Sequence, residues 1–226
     1  IRWGEYLSAE ELKDKTPINP PSKCPLCGGE TGIVKENNSE VLICKNPDCQ
    51  GKLLGKLSHA VSKNALDIDG LSDATLQRFI NKGWICCIKD IYHLCEHKNN
   101  MFRMDGFGEK SVENLLSGIK RSRIISLDRF LAALSIPLIG TSASKDMAKM
   151  CNYDIEKFKQ IMGESPYKFT AIDGFGDKMA HSLFVWWTNN CNKFLELEKE
   201  FFFEEINENP AENKLEGKNF VITGKL

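Results

Sequence analysis

The phrase MDGFGEKSVENLL, beginning at Met104, returns as IDGFGDKMAHSL from Ile172, with the same Asp-Gly-Phe-Gly, then an acid, then lysine. The two anchors, Gly106 and Gly174, stand 68 positions apart, and Gly140 in IPLIGTSASKDMAKM lies halfway, at a period of 34. Stepping back 36 from Gly106 reaches Gly70, in LDIDGLSDATLQRFI. Each anchor is followed by an amphipathic helical run, and each is preceded by another segment of helix length, such as LDRFLAALS. A second glycine follows at Gly108 and Gly176, whereas Ser72 and Ser142 take that place in the units anchored at Gly70 and Gly140. The repeating unit is helix, tight glycine turn, helix. Four such units make the chain mainly α.

Two other repeat readings fail on residues. A tetratricopeptide-type solenoid shares the period, but its Trp, Leu-Gly, Tyr and Pro positions do not recur. A dinucleotide loop needs a third glycine and a surrounding βαβ unit, and neither is present. Glycines serving only as helix C-caps explain one copy but poorly explain four in register, and that reading stays open for the units at Gly70 and Gly140, where serine replaces the second glycine. A glycine pair between helices permits positive φ and lets another molecule approach the backbone. The amides beyond it begin a helix, lack partners within it, and lie at its positive end, which suits a phosphate. Lys110 and Lys178, two places past the second glycines, can add charge-assisted contacts. Contacts of this kind are blind to base sequence.

The overall charge of −1 does not exclude such a partner, because it is unevenly distributed. Between Glu196 and Glu216 there are eight Glu and two Lys, a net −6, so the remainder carries −1 − (−6) = +5. A basic run, Lys120-Arg121-Ser122-Arg123, follows the second repeat. No stretch approaches the 18 apolar residues of a membrane span.

Four of the nine cysteines form two close pairs, Cys24-Pro-Leu-Cys27 and Cys44-Lys-Asn-Pro-Asp-Cys49, the layout of a four-thiolate zinc site. The segment between them, ETGIVKENNSEVLI, reads as two short strands around a turn. A ribbon this small cannot fold on apolar burial, and a structural zinc ion supplies roughly 10–16 kcal/mol of apparent binding energy. With all four ligands from protein, no position is left for catalysis. Cys86, Cys87, Cys95, Cys151 and Cys191 read as reduced core residues.

The order of modules then resembles a known family. A zinc ribbon, then HAVSKNALDIDGL, then four helix-hairpin-helix units is similar to the C-terminal part of NAD-dependent DNA ligase. FRMDGFGEKSVENLLSGIKRS and LDRFLAALSIPLIGTSASKDMA match its second and third hairpin regions, and KLEGKNFVITGKL resembles the first strand of its BRCT domain. The resemblance implies five segments: 1–22, a linker or remnant of a preceding OB-fold; 23–50, the zinc finger; 51–195, the four-hairpin domain; 196–214, an acidic linker; and 215–226, the truncated start of the BRCT domain. It implies structural zinc on Cys24, Cys27, Cys44 and Cys49. The repeats and the basic run make Gly70, Gly106, Gly108, Lys110, Gly140, Gly174, Gly176, Lys178, Lys120 and Arg121 the candidate DNA contacts.

The adenylylated lysine of ligases lies in Lys-x-Asp-Gly, and no such string occurs here. The expectation is a non-catalytic, monomeric clamp on nicked duplex DNA, acting in cis with the rest of a bacterial, cytoplasmic, nucleoid-associated ligase. NAD and a divalent metal are then used by the parent enzyme and not bound by these residues. The competing readings are a helix-hairpin-helix protein-interaction scaffold and another DNA repair factor, such as a base-excision glycosylase. The glycosylase would carry a catalytic Asp in a Gly-Pro-Asp-type loop, which is absent.

Overall fold

A computed structural model describes residues 19–36 and 39–206 of the chain. It divides into two compact units, one up to Leu53 and one from Leu54 onward.

In the first unit, β1 (Thr31–Glu36) and β2 (Ser39–Cys44) pair antiparallel, with Thr31 opposite Cys44 and Ile33 opposite Leu42. Alternation along a lone two-stranded ribbon gives neither face a partner, so Ile33, Val34, Val41, Leu42 and Ile43 all remain more than a third exposed. Among the described residues before Leu54, the buried ones are Cys24 and Cys49. This unit has thiols where a domain of its size would need a hydrophobic core.

The second unit is helical. Its elements run from the helix α1 (Gln50–Val61), which begins just before it, through α2 (Asp73–Asn81), α3 (Ile88–Ile91), α4 (Lys98–Met101), α5 (Glu109–Arg121), α6 (Leu127–Ala133), α7 (Thr141–Met150) and α8 (Ile155–Glu164) to the long α9 (Asp177–Glu198). The mainly α fold with a β-ribbon matches the reading of the sequence. Each amphipathic run buries its apolar stripe: Leu76, Phe79 and Ile80 from α2, Val112, Leu115 and Ile119 from α5, Phe158, Ile161 and Met162 from α8. The centre is aromatic. Phe130 lies edge-on to Phe194 at 5.6 Å, Phe194 contacts Phe158 at 5.7 Å, and Phe158 meets Phe169 at 6.0 Å. Such pairs contribute about 0.5–1.5 kcal/mol each beyond their burial.

Three sequence expectations are corrected by the structure. The first concerns the repeat register. The chain takes positive φ at Gly70 (+89°), Gly106 (+82°) and Gly174 (+77°), in each case two residues before a helix N-cap: Ser72, Gly108 and Gly176. In the third turn the positive-φ residue is Leu138 (+67°), and Gly140 is itself the N-cap with φ −92°. Leu138 therefore corresponds to Gly106, and Gly140 to Gly108. The turns are spaced 106 − 70 = 36, 138 − 106 = 32 and 174 − 138 = 36 residues, so the regular 34 does not hold between them. Ser142 is a helical residue of α7, not the counterpart of a second glycine.

The second correction concerns the segment after residue 195. The sequence reads 196–214 as an acidic linker, yet α9 continues through Glu198. Glu196, Glu198 and Glu200 each meet a cation: Lys89 at 2.9 Å, Lys159 at 2.6 Å and Arg123 at 2.6 Å. Phe201 is buried, 4.8 Å from Tyr92 and 5.0 Å from Phe130. Beyond it, β4 (Phe202–Phe203) pairs parallel with β3 (Ile124–Ile125). Residues 1–18, the rest of the acidic segment from 207, and the BRCT-like strand at 215–226 lie outside the described residues.

The cysteine reading also divides. Cys151 is buried and Cys191 half-buried, as core residues would be, but Cys86, Cys87 and Cys95 are exposed. Cys87 ends up at the N-cap of α3, where the Asp90 carboxylate accepts from the amides of Cys86 (2.7 Å) and Cys87 (2.9 Å). The short helix is too brief to cover them.

Candidate metal centre and nucleic-acid interface

The thiols of Cys24, Cys27, Cys44 and Cys49 converge, all four sulfurs lying within 4.8 Å of one another. Cys24 Sγ is 3.9 Å from Cys49 Sγ, and Cys27 Sγ is 3.5 Å from Cys44 Sγ. Four sulfurs at about 2.3 Å from a central zinc ion would be separated by about 3.8 Å, so the donor set and its spacing fit that ion. The first pair is shaped by a knuckle: Gly28 takes φ +69°, its amide donates to Cys24 O at 2.8 Å, and Cys24 N donates to Gly29 O at 2.7 Å. Gly29 has close neighbours, since a Cβ there would lie 3.0 Å from Asn46 Cβ and 3.3 Å from Cys27 Sγ. The Gly29 amide lowers the Cys27 thiol to about 6, while desolvation pushes the Cys44 thiol up to about 12. Among the described residues, this is the one cluster of three or more Cys, His, Asp or Glu side chains able to hold a metal ion.

The ten residues read from the repeats, Gly70, Gly106, Gly108, Gly140, Gly174, Gly176, Lys110, Lys120, Arg121 and Lys178, are all exposed. The turns differ in what their N-caps do. Ser72 caps α2 with its own side chain, its Oγ accepting from Thr75 N at 3.3 Å. Gly108, Gly140 and Gly176 have no side chain to do this, so the leading amides of α5, α7 and α9 carry no side-chain cap. Those helix starts hold partial positive charge facing outward.

Positive φ accounts for glycine at 106 and 174. Nothing of the kind accounts for Gly108 and Gly176, whose φ values of −74° and −81° suit any residue. A Cβ added at either would meet nothing within 4 Å. Neither their backbone nor their neighbours require the missing side chain.

The structure brings some of the ten together. Gly70 from the first turn and Gly108, Lys110 and Arg121 from the second turn and α5 line one open groove of about 830 Å³. Lys120 is not part of its lining, although it adjoins Arg121 in sequence. Gly140 marks the start of α7, whose Thr141, Ser142 and Lys145 line a separate groove of about 430 Å³ with Lys63 and Arg129. Gly174, Gly176 and Lys178 line neither groove.

Several residues here were not singled out from the sequence. Ser111, Asn114 and Ser117 line the larger groove and recur every three positions along α5, a polar stripe that helical periodicity could have found. Lys63 comes from the loop after α1, which Arg129 holds by donating to Ala65 O at 2.9 Å and Lys63 O at 3.1 Å. No local pattern announces that pairing. Arg78 of α2 steadies the second turn: it donates to Asp105 O at 3.0 Å and its guanidinium lies 5.3 Å from the Phe107 ring centroid.

No family model matches the chain. Among curated proteins, it is 34% identical to a DNA ligase of Lachnoclostridium phytofermentans over 96% of its own length and 33% of that protein's. It is 33% identical to a DNA ligase of Ruminiclostridium cellulolyticum, covering 91% of the chain and 31% of that protein, and 34% identical to one of Campylobacter concisus, covering 100% and 34%. The chain spans about a third of the length of the relatives it matches. A zinc-fitting thiol cluster, four glycine-punctuated helical turns and similarity along nearly all its length lead to one conclusion: the chain belongs to the DNA ligase family.

Proposed function

We propose that this segment is the non-catalytic, duplex-holding part of an NAD-dependent DNA ligase, one that seals nicks during replication and repair. Its four turns act as tandem helix-hairpin-helix motifs that hold the sugar–phosphate backbone without regard to sequence, the second to fourth through uncapped helix starts and the first, whose helix Ser72 caps, through the groove at Gly70. The observation that carries the reading is Gly108 and Gly176: ordinary φ, open space and no side chain, at the start of uncapped helices. A residue that neither the backbone nor the packing needs is kept small for a molecule that comes from outside. Phosphate is the chemistry that uncapped helix amides flanked by Lys110 and Lys178 select.

Cys24, Cys27, Cys44 and Cys49 would hold a structural zinc ion that shapes the ribbon and takes no part in the chemistry. When bound, the ion supplies folding energy to a unit in which, among the described residues, only Cys24 and Cys49 are buried. The NAD site and catalytic divalent metal belong to other parts of the enzyme, with which this segment works in cis. The partner is nicked duplex DNA, the protein acts as a monomer, and its place is the bacterial cytoplasm at the nucleoid. Among the described residues no helix is long and apolar enough to cross a membrane.

Fluorescence anisotropy of the 226-residue chain with duplexes of unrelated sequence, over a salt series, tests this. The expected result is equal affinity for each sequence and a log–log fall with salt of about 0.9 per phosphate neutralised by a lysine or arginine. Salt-indifferent or sequence-selective binding, or none at low salt, contradicts it.

A further inference from the structure

The groove between the first turn and α5 is bounded by two different kinds of wall. On α5, Ser111, Asn114 and Ser117 form a neutral stretch with Lys110 at one end and Arg121 at the other. Val112, Leu115 and Ile119 are buried, Leu115 forming part of the groove's lining, and the polar stripe belongs to the exposed side of the helix. Across the groove stands the turn at Gly70, carrying the Asp69 carboxylate.

Length and charge narrow what fits. Lys110 and Arg121 are eleven residues apart, or about 16 Å along the helix. That distance exceeds one nucleotide step, since a strand advances about 3.4 Å along the duplex axis per nucleotide. An open groove of about 830 Å³ with cations only at its ends does not enclose a small anion. It suits a chain whose charges recur along its length. The Asp69 carboxylate disfavours phosphate on its own side and leaves the strand to the α5 wall.

We propose that this groove seats the sugar–phosphate backbone of one DNA strand, and that Ser111, Asn114 and Ser117 are binding residues that hydrogen-bond its phosphate and sugar oxygens. The proposal rests on the DNA-holding reading and adds to it neutral side-chain donors, beside the backbone amides of the glycine turns and the charges of the lysines. Hydroxyl and amide donors bind a phosphate oxygen without bringing a charge, so they release no condensed counterion. Affinity from the stripe is therefore separable from affinity due to its ends.

The test uses the 226-residue chain, a fluorescent duplex and a salt series. The triple variant Ser111→Ala, Asn114→Ala, Ser117→Ala is expected to lose about tenfold in affinity at every salt concentration, with an unchanged log–log slope. The double variant Lys110→Ala, Arg121→Ala is expected to lose affinity and about two units of slope. Asn114→Asp keeps the side chain's size but brings a negative charge to the stripe; it is expected to bind more weakly than Asn114→Ala, guarding against a folding defect in the triple variant. If the parent binds and the triple variant, melting at the parent temperature, binds equally well, the neutral stripe does not touch DNA and this proposal is overturned alone. A parent chain that fails to bind overturns the DNA-holding reading with it.

Discussion

At the scale of single residues, the comparison of four equivalent positions is the most informative. Gly70, Gly106 and Gly174 meet the demand for positive φ without cost, whereas Leu138 meets the same demand with a side chain that is 63% exposed. Left-handed backbone costs a non-glycine residue about 1–2 kcal/mol, and glycine returns about 0.5–1 kcal/mol of that through the entropy of the unfolded chain. Leu138→Gly should therefore stabilise the fold by roughly 0.5–1 kcal/mol, raising the melting temperature by about 1–4 °C for a domain of this size. A thermal melt of the variant checks it, and a fall would mean that the leucine packs more than its exposure indicates. The position also explains why the repeat register was misread. A sequence scan looks for glycine where a turn needs positive φ, and in IPLIG the only glycine lies two places further on, at the cap.

At the scale of elements, legibility followed periodicity and covalent spacing. The helices after each turn were readable because Leu76, Leu115, Met147 and Leu183 recur on stripes their neighbours bury. The thiol cluster was readable because two Cys pairs leave few alternatives. The end of α9 was not. Its glutamates resemble a linker until their partners, Lys89, Lys159 and Arg123, are known, and these lie 107, 39 and 77 residues away in sequence. Cys86, Cys87 and Cys95 were placed in the core because α3 and its neighbours are too short to display a stripe. The ribbon yields a prediction of its own. With Ile33, Val34, Val41, Leu42 and Ile43 all exposed, the described residues of the first unit have little but the thiol cluster to fold around. Chelation, or Cys27→Ser, should abolish zinc binding at one ion per chain and unfold the ribbon. The helical circular dichroism of the second unit should be largely retained. Zinc content that survives Cys27→Ser would contradict the assignment.

At the scale of the whole molecule, the account is that turns scattered over about a hundred residues act on one extended partner. Gly70, Gly108, Lys110 and Arg121 share a groove, Lys63 and Lys145 another, and Gly176 begins a third exposed helix. None needs a strongly basic surface, so a net charge of −1 is compatible with the proposed partner. The glycine caps are the common element, and their role can be separated from folding, because the first turn already contains the control. Ser72 caps its helix by occupying the Thr75 amide, so Gly108→Ser together with Gly176→Ser should do likewise on α5 and α9. Serine is at least as good an N-cap as glycine, by a few tenths of a kcal/mol. The measurement is the affinity of this double variant for duplex DNA beside its melting temperature. The account predicts a melting temperature no lower than the parent's and affinity reduced at least about tenfold, or about 1.4 kcal/mol. Unchanged affinity in a fully folded variant would contradict it, leaving those two glycines without a role in holding DNA.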